Sequence, residues 1–371
     1  MTVVAIAITT LLLADVLVRF GRDTLDSYYV DHYARKSRAV HARNPAPRVI
    51  LLGSSRAAYG LAPSEFERAT GLKAFNFGIP GSKIPEWQIL AERTIASIRP
   101  SLVVLGVNAS EIRADAEPIS AARDLFEFRD LTDYLFHDGW SSTVLANFVE
   151  RRLASPWALF HRRFEIASWL QERSGALFPK HAQLAVELRH HASRDCPEDG
   201  YEHPWLSGRR LADLEMKLSA DLRSIAAATV PVCDVHAPVV SRFRALLQWF
   251  VDHDIPVVVA YLPNSPWTEE RWHEAEPVLE QLILDCCLQA GVAYVGASTH
   301  DLPRTNADYL DESHMGLPLA RRASRRIAER AIRLGLIRPD ERLAFADERP
   351  ASDVGIGPLA DHGEKSEAGT P

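Results

Sequence analysis

The chain has 371 residues, 47% of them hydrophobic and 25% charged, which is enough apolar side chain for one large packed domain or two small ones. Its formal net charge of -7 argues against an electrostatic nucleic-acid binder, so no nucleic acid is expected as a partner. Four cysteines are too few for a disulfide scaffold.

Residues 1–20 read as an N-terminal hydrophobic anchor. Val3 to Leu13 holds only apolar residues and threonine, and the run resumes after Asp15 as Val16-Leu17-Val18. That is short for a full span of about 20 apolar residues. It suits a signal h-region in length but lacks a convincing small-x-small cleavage site; a buried helix is the alternative. Arg19, Arg22, Arg35, Lys36 and Arg38 follow the run and none precedes it, which by the positive-inside rule would keep the body cytoplasmic. Residues 21–46 read as a helical stalk or linker ending at Pro45-Ala46-Pro47.

An α/β domain is expected over 47–337. Val49-Ile50-Leu51-Leu52 is a short apolar strand that breaks into Gly53-Ser54-Ser55-Arg56. Pro63-Ser64-Glu65-Phe66-Glu67 reads as a helix start, with Ser64 and Glu67 in capping-box spacing, and Gly71 ends it. Lys73 to Asn76 is a second strand, Asn76 to Ser82 a glycine-proline loop, and residues 84–98 a helix by their apolar spacing. Leu102 to Leu105 is a third strand, closed by Gly106-Val107-Asn108. Residues 112–236 show helical patterns, tryptophans and polar loops without a clear strand, the mark of an inserted helical subdomain. Alternation returns with a helix at 238–253, the strand Val257 to Tyr261, a helix at 269–290, the strand Val292 to Val295 and a basic amphipathic helix at 319–334. Residues 338–371 are rich in Asp, Glu, Gly, Pro and Ala and read as a disordered tail. Such alternation with short loops is the signature of a parallel sheet built from right-handed crossovers.

Cys286 and Cys287 lie in a helical pattern and read as core thiols, while Cys196 and Cys233 are able to pair only if the domain is exported. His181, His190, His191 and His203 are scattered without ligand spacing and read as surface residues. No metal and no cofactor is called for.

In an open parallel sheet the loops at the carboxyl ends of the strands converge on one crevice. Ser55, the Asn76–Gly81 loop, Asn108 and the segment Asp311-Glu312-Ser313-His314 therefore meet there. Ser55 needs a base, His314 can take and return its proton, and Asp311, placed on the same side by a three-residue helical spacing, can hold the imidazole. The Ser55 and Gly81 backbone N–H groups and the Asn108 amide are the candidate oxyanion donors. Taken singly, each segment also has a plain structural reading: a strand-end turn at Ser54-Ser55, a tight loop at Gly78 and Gly81, a turn asparagine at 108, and helix capping by Asp311 and Ser313. Arg56 either binds an anionic substrate group or pairs with a carboxylate of the insert, the second being favoured. Asn264 either lines the cleft or serves a turn.

With those four blocks in order, the chain resembles the SGNH (GDSL-like) hydrolase superfamily. The nucleophile block is Gly53-Ser54-Ser55-Arg56, the second-block glycine Gly81 in Asn76-x-Gly78-x-x-Gly81, the third block Gly106-Val107-Asn108, and the last Asp311-x-x-His314. The resemblance covers about residues 47–111 and 238–335 and implies a flavodoxin-like three-layer fold with about five parallel strands. Ser54 stands where an acidic residue usually precedes the nucleophile, and Ala109 where an aspartate often follows the asparagine. With the hydrophobic start and helical insert, these departures look more like the membrane-tethered branch that includes DltD-like and alginate O-acetylation proteins. That implies an esterase or O-acyltransferase acting on acylated cell-envelope carbohydrate or a small ester, an extracytoplasmic catalytic domain and a membrane acyltransferase as a partner. The alternative is a non-catalytic, membrane-tethered module presenting Trp140, Trp157, Trp169 and Trp205 to carbohydrate.

Overall fold

Four strands of the protein are buried on both faces, and this is why three of them read as unbroken apolar runs instead of alternating ones, while the fourth is interrupted by a buried asparagine, Asn76. The computed structural model describes residues 2–20, 28–112, 125–137, 139–154, 157–158, 166, 198–201, 237–296, 302–311 and 313–338. Strands β1 (Val49–Gly53), β2 (Ala74–Gly78), β3 (Leu102–Val107), β4 (Val257–Tyr261) and β5 (Ala293–Val295) form one parallel sheet in the order β2-β1-β3-β4-β5. The sequence order reverses between β1 and β3, and in such sheets the crevice opens beyond the carboxyl ends at that point.

Helices cover both faces. Ile50, Leu52, Phe77, Val103, Leu105 and Val259 face a core built with α2 (Tyr28–His41), α5 (Ile84–Leu90), α8 (Ala237–Asp252) and α10 (Ala275–Ala290). Helix α5 continues through a π-helical turn at Ala91–Ile95 to Ile98. Val49, Leu51, Val104 and Val258, the alternate positions, face α3 (Ser55–Gly60), α4 (Pro63–Thr70) and α11 (Leu317–Arg333). The interior cysteines, Cys286 and Cys287, are buried and unpaired, and burial pushes the Cys287 thiol up to about 12. Cys196, Cys233, the four histidines of the insert, Trp169, Trp205 and the tail after 338 lie outside the described residues.

Small residues line up across the sheet's carboxyl end. Gly53 pairs in register with Gly78 on one side and Gly106 on the other, and Gly106 with Ala260. A Cβ on Gly78 would come 2.3 Å from Ala58 N, and one on Gly53, whose φ is +148°, would come 2.5 Å from Gly106 O. The row lets α3 settle directly on the strand ends.

Several sequence expectations change in detail. The α4 N-cap is Ala62, with Pro63 at the first helical position and no capping box at Ser64; Glu67 instead accepts from Ala74 N at 3.0 Å. The expected 269–290 helix is two, α9 (Pro266–Arg271) and α10. Within the stalk region, α2 packs on the domain: Val40 joins the core, and Lys36, 1% exposed, donates to Asn76 O (3.0 Å) and Gly78 O (2.8 Å). Together with Asp199 O, which accepts from Asn76 N at 2.7 Å, it covers the open edge of β2.

The N-terminal segment forms α1 (Thr2–Phe20), which exposes Ile6, Leu12, Leu13 and Leu17. Among the described residues no helix is long and apolar enough to cross a membrane. The described part of the insert holds α6 (Phe128–His137) and α7 (Ser142–Ala154), packed through Leu131, Tyr134, Val144 and Phe148 onto Ile89 of α5.

Candidate active site

Ser55 is the first residue of α3, immediately after β1, with Ser54 as N-cap accepting from Arg56 N at 3.3 Å. The short helix is clamped from below by Asn76 of β2. Its Nδ2 donates to Ala57 O (2.9 Å) and Leu61 O (2.6 Å), and its Oδ1 accepts from Gly78 N (2.8 Å). A fully buried amide thus supplies the Leu61 carbonyl past the end of α3 with a donor and adds a second to Ala57 O, which already accepts from Leu61 N at 3.1 Å.

Asp311 and His314 sit on a tight turn rather than on a helix. The turn is closed by a Tyr309–Met315 antiparallel bridge and a Leu310 N to His314 O bond of 2.7 Å. Buried Tyr309 fixes its base by donating to Pro263 O after β4 (3.2 Å). Helix α11, which follows, is held to α4: Arg325 donates to Glu65 Oε2 from Nε (3.1 Å) and Nη2 (3.0 Å), and Ala62 N donates to Ser324 Oγ (2.7 Å).

These supports bring together residues 259 apart. Ser55 Oγ lies 2.8 Å from His314 Nε2, and His314 Nδ1 lies 2.5 Å from Asp311 Oδ2. A carboxylate only accepts, so the imidazole proton belongs on Nδ1, which leaves the Nε2 lone pair for the Ser55 hydroxyl. The other Asp311 oxygen accepts from Ser313 N and His314 N, both at 2.8 Å. Asp311 therefore caps its own turn; α11 starts at Leu317 with Gly316 as its N-cap. Packing around the Asp311 carboxyl would raise its pKa, but the adjacent His314 and the two backbone N–H groups outweigh this and hold it well below the usual carboxylate range. Tyr59 packs edge-on against the imidazole, its centroid 5.3 Å away, and Tyr201 OH donates to Tyr59 O at 2.9 Å.

The other predicted residues fall as follows. Gly81 is exposed, with φ +79°, in a loop tied to the end of β1 by Ile79 N (2.9 Å) and Ser82 Oγ (3.2 Å), both donating to Gly53 O. Asn108 is fully buried just past β3; its Nδ2 donates to Leu262 O at 2.7 Å, so one amide proton already joins β3 to β4 and the second is left over. Asn264 is buried beside Glu276, to which it donates at 3.3 Å, and Glu276 also accepts from Tyr261 OH at 2.7 Å. Among the described residues no cluster of His, Cys, Asp and Glu is placed to hold a metal.

Glu111 was not singled out from the sequence. It is 3% exposed, accepts from Ser54 Oγ and from Asn108 N, and lies 3.9 Å from Arg56 Nη1. Burial pushes its carboxyl up, against Arg56, Ser54 and the Asn108 N–H, which pull it down. One carboxylate thus links the turn before Ser55 to the Asn108 turn. The signal was Asn108-x-x-Glu111, a capping-box spacing straight after a strand.

No family model matches the chain, and no curated protein matches it. Among solved structures it is similar to a candidate acylhydrolase from Bacteroides fragilis, 11% identical over 84% of this chain and 99% of that one, with a TM-score of 0.38. It is also similar to a GDSL-like lipase from Bacteroides thetaiotaomicron, 9% identical over 83% of this chain and 98% of that one, with a TM-score of 0.37. Values this low carry no argument about chemistry, which rests on the geometry of Ser55, His314 and Asp311.

Proposed function

We propose that the protein is a serine-dependent esterase or O-acyltransferase of the SGNH type that works through an acyl-enzyme on Ser55. The observation that carries this reading is the continuous line from Ser55 Oγ to His314 Nε2 (2.8 Å) and from His314 Nδ1 to Asp311 (2.5 Å) at the crevice of the sheet. Ser55 Oγ attacks the ester carbonyl while His314 Nε2 takes its proton. Asp311 stabilises the imidazolium. Oxyanion charge falls to the Ser55 N–H, the Gly81 N–H and the spare Asn108 amide proton. His314 then protonates the departing alkoxide, and water or a carbohydrate hydroxyl, deprotonated by the same imidazole, accepts the acyl group.

The envelope branch of this reading is a proposal of the same kind. The substrate is an acylated cell-envelope carbohydrate or a small ester, the catalytic domain is extracytoplasmic, and a membrane acyltransferase is the partner when transfer outruns hydrolysis. Apolar residues exposed along α1 support attachment to a membrane. Co-flotation of the full chain with liposomes, lost on deleting residues 1–20, tests the attachment; flotation that survives the deletion removes it.

The chemistry is tested with 4-nitrophenyl acetate and a fluorophosphonate probe. Wild-type protein is expected to turn over the ester and to be labelled at Ser55, and Ser55→Ala to do neither while melting at the same temperature. Labelling at another residue, or near wild-type turnover by the variant, refutes the assignment.

A further inference from the structure

The guanidinium donors of the residue directly after Ser55 are not used by the described protein. The Arg56 side chain is 18% exposed, and its one ionic neighbour among the described residues is Glu111, with Nη1 3.9 Å from Oε1, beyond hydrogen-bond reach. Both oxygens of that carboxylate are already accepting, from Ser54 Oγ and from Asn108 N. No guanidinium N–H of Arg56 donates to a described residue, and Nε is buried without a partner. By contrast, the guanidinium groups of Arg242 and Arg304 reach carboxylates at 3.0 and 2.5 Å. A planar fork of donors thus stands idle next in sequence to the nucleophile, in a half-buried place where idle donors are costly.

We propose that Arg56 is a substrate-anion site, so that the ester turned over at Ser55 carries a carboxylate or phosphate group close to its scissile carbonyl. This rests on the esterase reading above and narrows it to anionic esters. The guanidinium fork matches the paired oxygens of either group, and Glu111 holds it at Coulombic distance without using its donors.

The experiment compares kcat/KM for neutral 4-nitrophenyl acetate and for the mono-4-nitrophenyl ester of succinate, which bears a carboxylate. It uses the full chain as wild type, Arg56→Lys, Arg56→Gln and Arg56→Gln/Glu111→Gln. The double variant removes the pair together, so that no buried carboxylate is left uncompensated if the single variant fails to fold. The ratio of anionic to neutral ester is expected to fall at least about tenfold in both glutamine variants, with lysine in between, as the loss of hydrogen bonds to a charged group implies. An unchanged ratio overturns the proposal. If no protein hydrolyses either ester, the esterase reading fails by itself. The site is then judged by calorimetric binding of monomethyl against dimethyl succinate to Ser55→Ala protein. A preference of tenfold or more for the anion that Arg56→Gln abolishes upholds the site; equal binding removes it. Competition by inorganic phosphate or by acetate at matched ionic strength upholds the site and identifies the anion, and competition by neither counts against it.

Discussion

Replacing Asp311 by asparagine separates the two jobs that this carboxylate performs. Its Oδ1 accepts from Ser313 N and His314 N at 2.8 Å each, and its Oδ2 accepts from His314 Nδ1 at 2.5 Å. Asparagine keeps one acceptor, and the two backbone N–H groups claim it. The new Nδ2 then faces His314 Nδ1 donor to donor. The imidazole relieves the clash by moving its proton to Nε2, which turns a donor toward the Ser55 hydroxyl and removes the base. A tautomer error of this kind lowers kcat by roughly 10³–10⁴, or about 4–5.5 kcal/mol of barrier, while the turn stays capped. Asp311→Ala loses both jobs. Two turn hydrogen bonds at about 0.5–1.5 kcal/mol each add a stability loss of roughly 1–3 kcal/mol to a similar fall in kcat. The assays are kcat on 4-nitrophenyl acetate and urea unfolding for all three proteins. Asparagine protein that keeps kcat within about tenfold of wild type, beside alanine protein that collapses, would reduce Asp311 to a turn cap and sink the triad reasoning.

Other expectations follow from the supports of the site. Gly78→Ala would drive a Cβ to within 2.3 Å of Ala58 N; backbone cannot yield cheaply, so kcat is expected to fall by about 10² or more, and wild-type turnover would show that α3 is free to slide. Asn76→Ala strips the Leu61 carbonyl of its buried donor and leaves Ala57 O with Leu61 N alone, and is expected to cost roughly 1–3 kcal/mol in urea unfolding; a loss under about 0.5 kcal/mol would refute the clamp. Glu65, 2% exposed, is raised by burial but lowered more by Arg68 and Arg325, so its folded pKa lies below its ordinary value. A depressed carboxylate stabilises fully above its unfolded pKa of about 4.3 and loses that contribution as pH falls through the folded value. The stability gap between wild type and Glu65→Gln is therefore expected to be full at pH 7 and to close on acidification below about pH 4.3; a gap that widens on acidification contradicts the sign.

The core of the sheet was legible because strands buried on both faces carry almost no polar positions to interrupt them, Asn76 of β2 being the exception. Their carboxyl ends were not. Sequence reasoning closed the first three strands at Leu52, Asn76 and Leu105, since glycine reads as a turn, yet Gly53, Gly78 and Gly106 continue the ladders. Those glycines answer to the approach of α3 from another layer, a tertiary demand with no local signature. Two missed boundaries did leave marks. Pro63 belongs at a first helical position and shifts the start of α4 off Ser64, and Pro277, intolerable inside a long helix, falls in the first turn of α10 and divides the expected 269–290 segment. The residue types of the triad were readable from spacing, but the expectation of a helical turn for Asp311 and His314 failed because the Tyr309–Met315 bridge closes a tighter loop. Glu111 escaped notice because its partners, Ser54 and Arg56, lie more than fifty positions earlier and meet it only across the β1–β3 gap.

The way the two halves of the site are joined decides which substitutions matter. Ser55 is positioned by β1, α3 and the Asn76 clamp, whereas His314 is positioned by a turn fastened to Pro263 and by α11, which Glu65 and Ser324 hold to α4. Helix α4 follows α3 after two residues, so the fastening that places His314 acts on the element next to the one that carries Ser55. The 2.8 Å contact between the two side chains is thus the closing link of a short mechanical loop. A displacement of 1 Å in such a contact can cost about 10² in rate, and the fastenings are themselves buried at one end or both, at Glu65 and at the Ala62–Ser324 bond, so that removing one leaves a buried polar group unpaired at a cost of about 1–3 kcal/mol. Mutations along α4 and α11 should therefore register in kcat as well as in unfolding, and a search for the determinants of activity belongs on those helices as much as in the crevice.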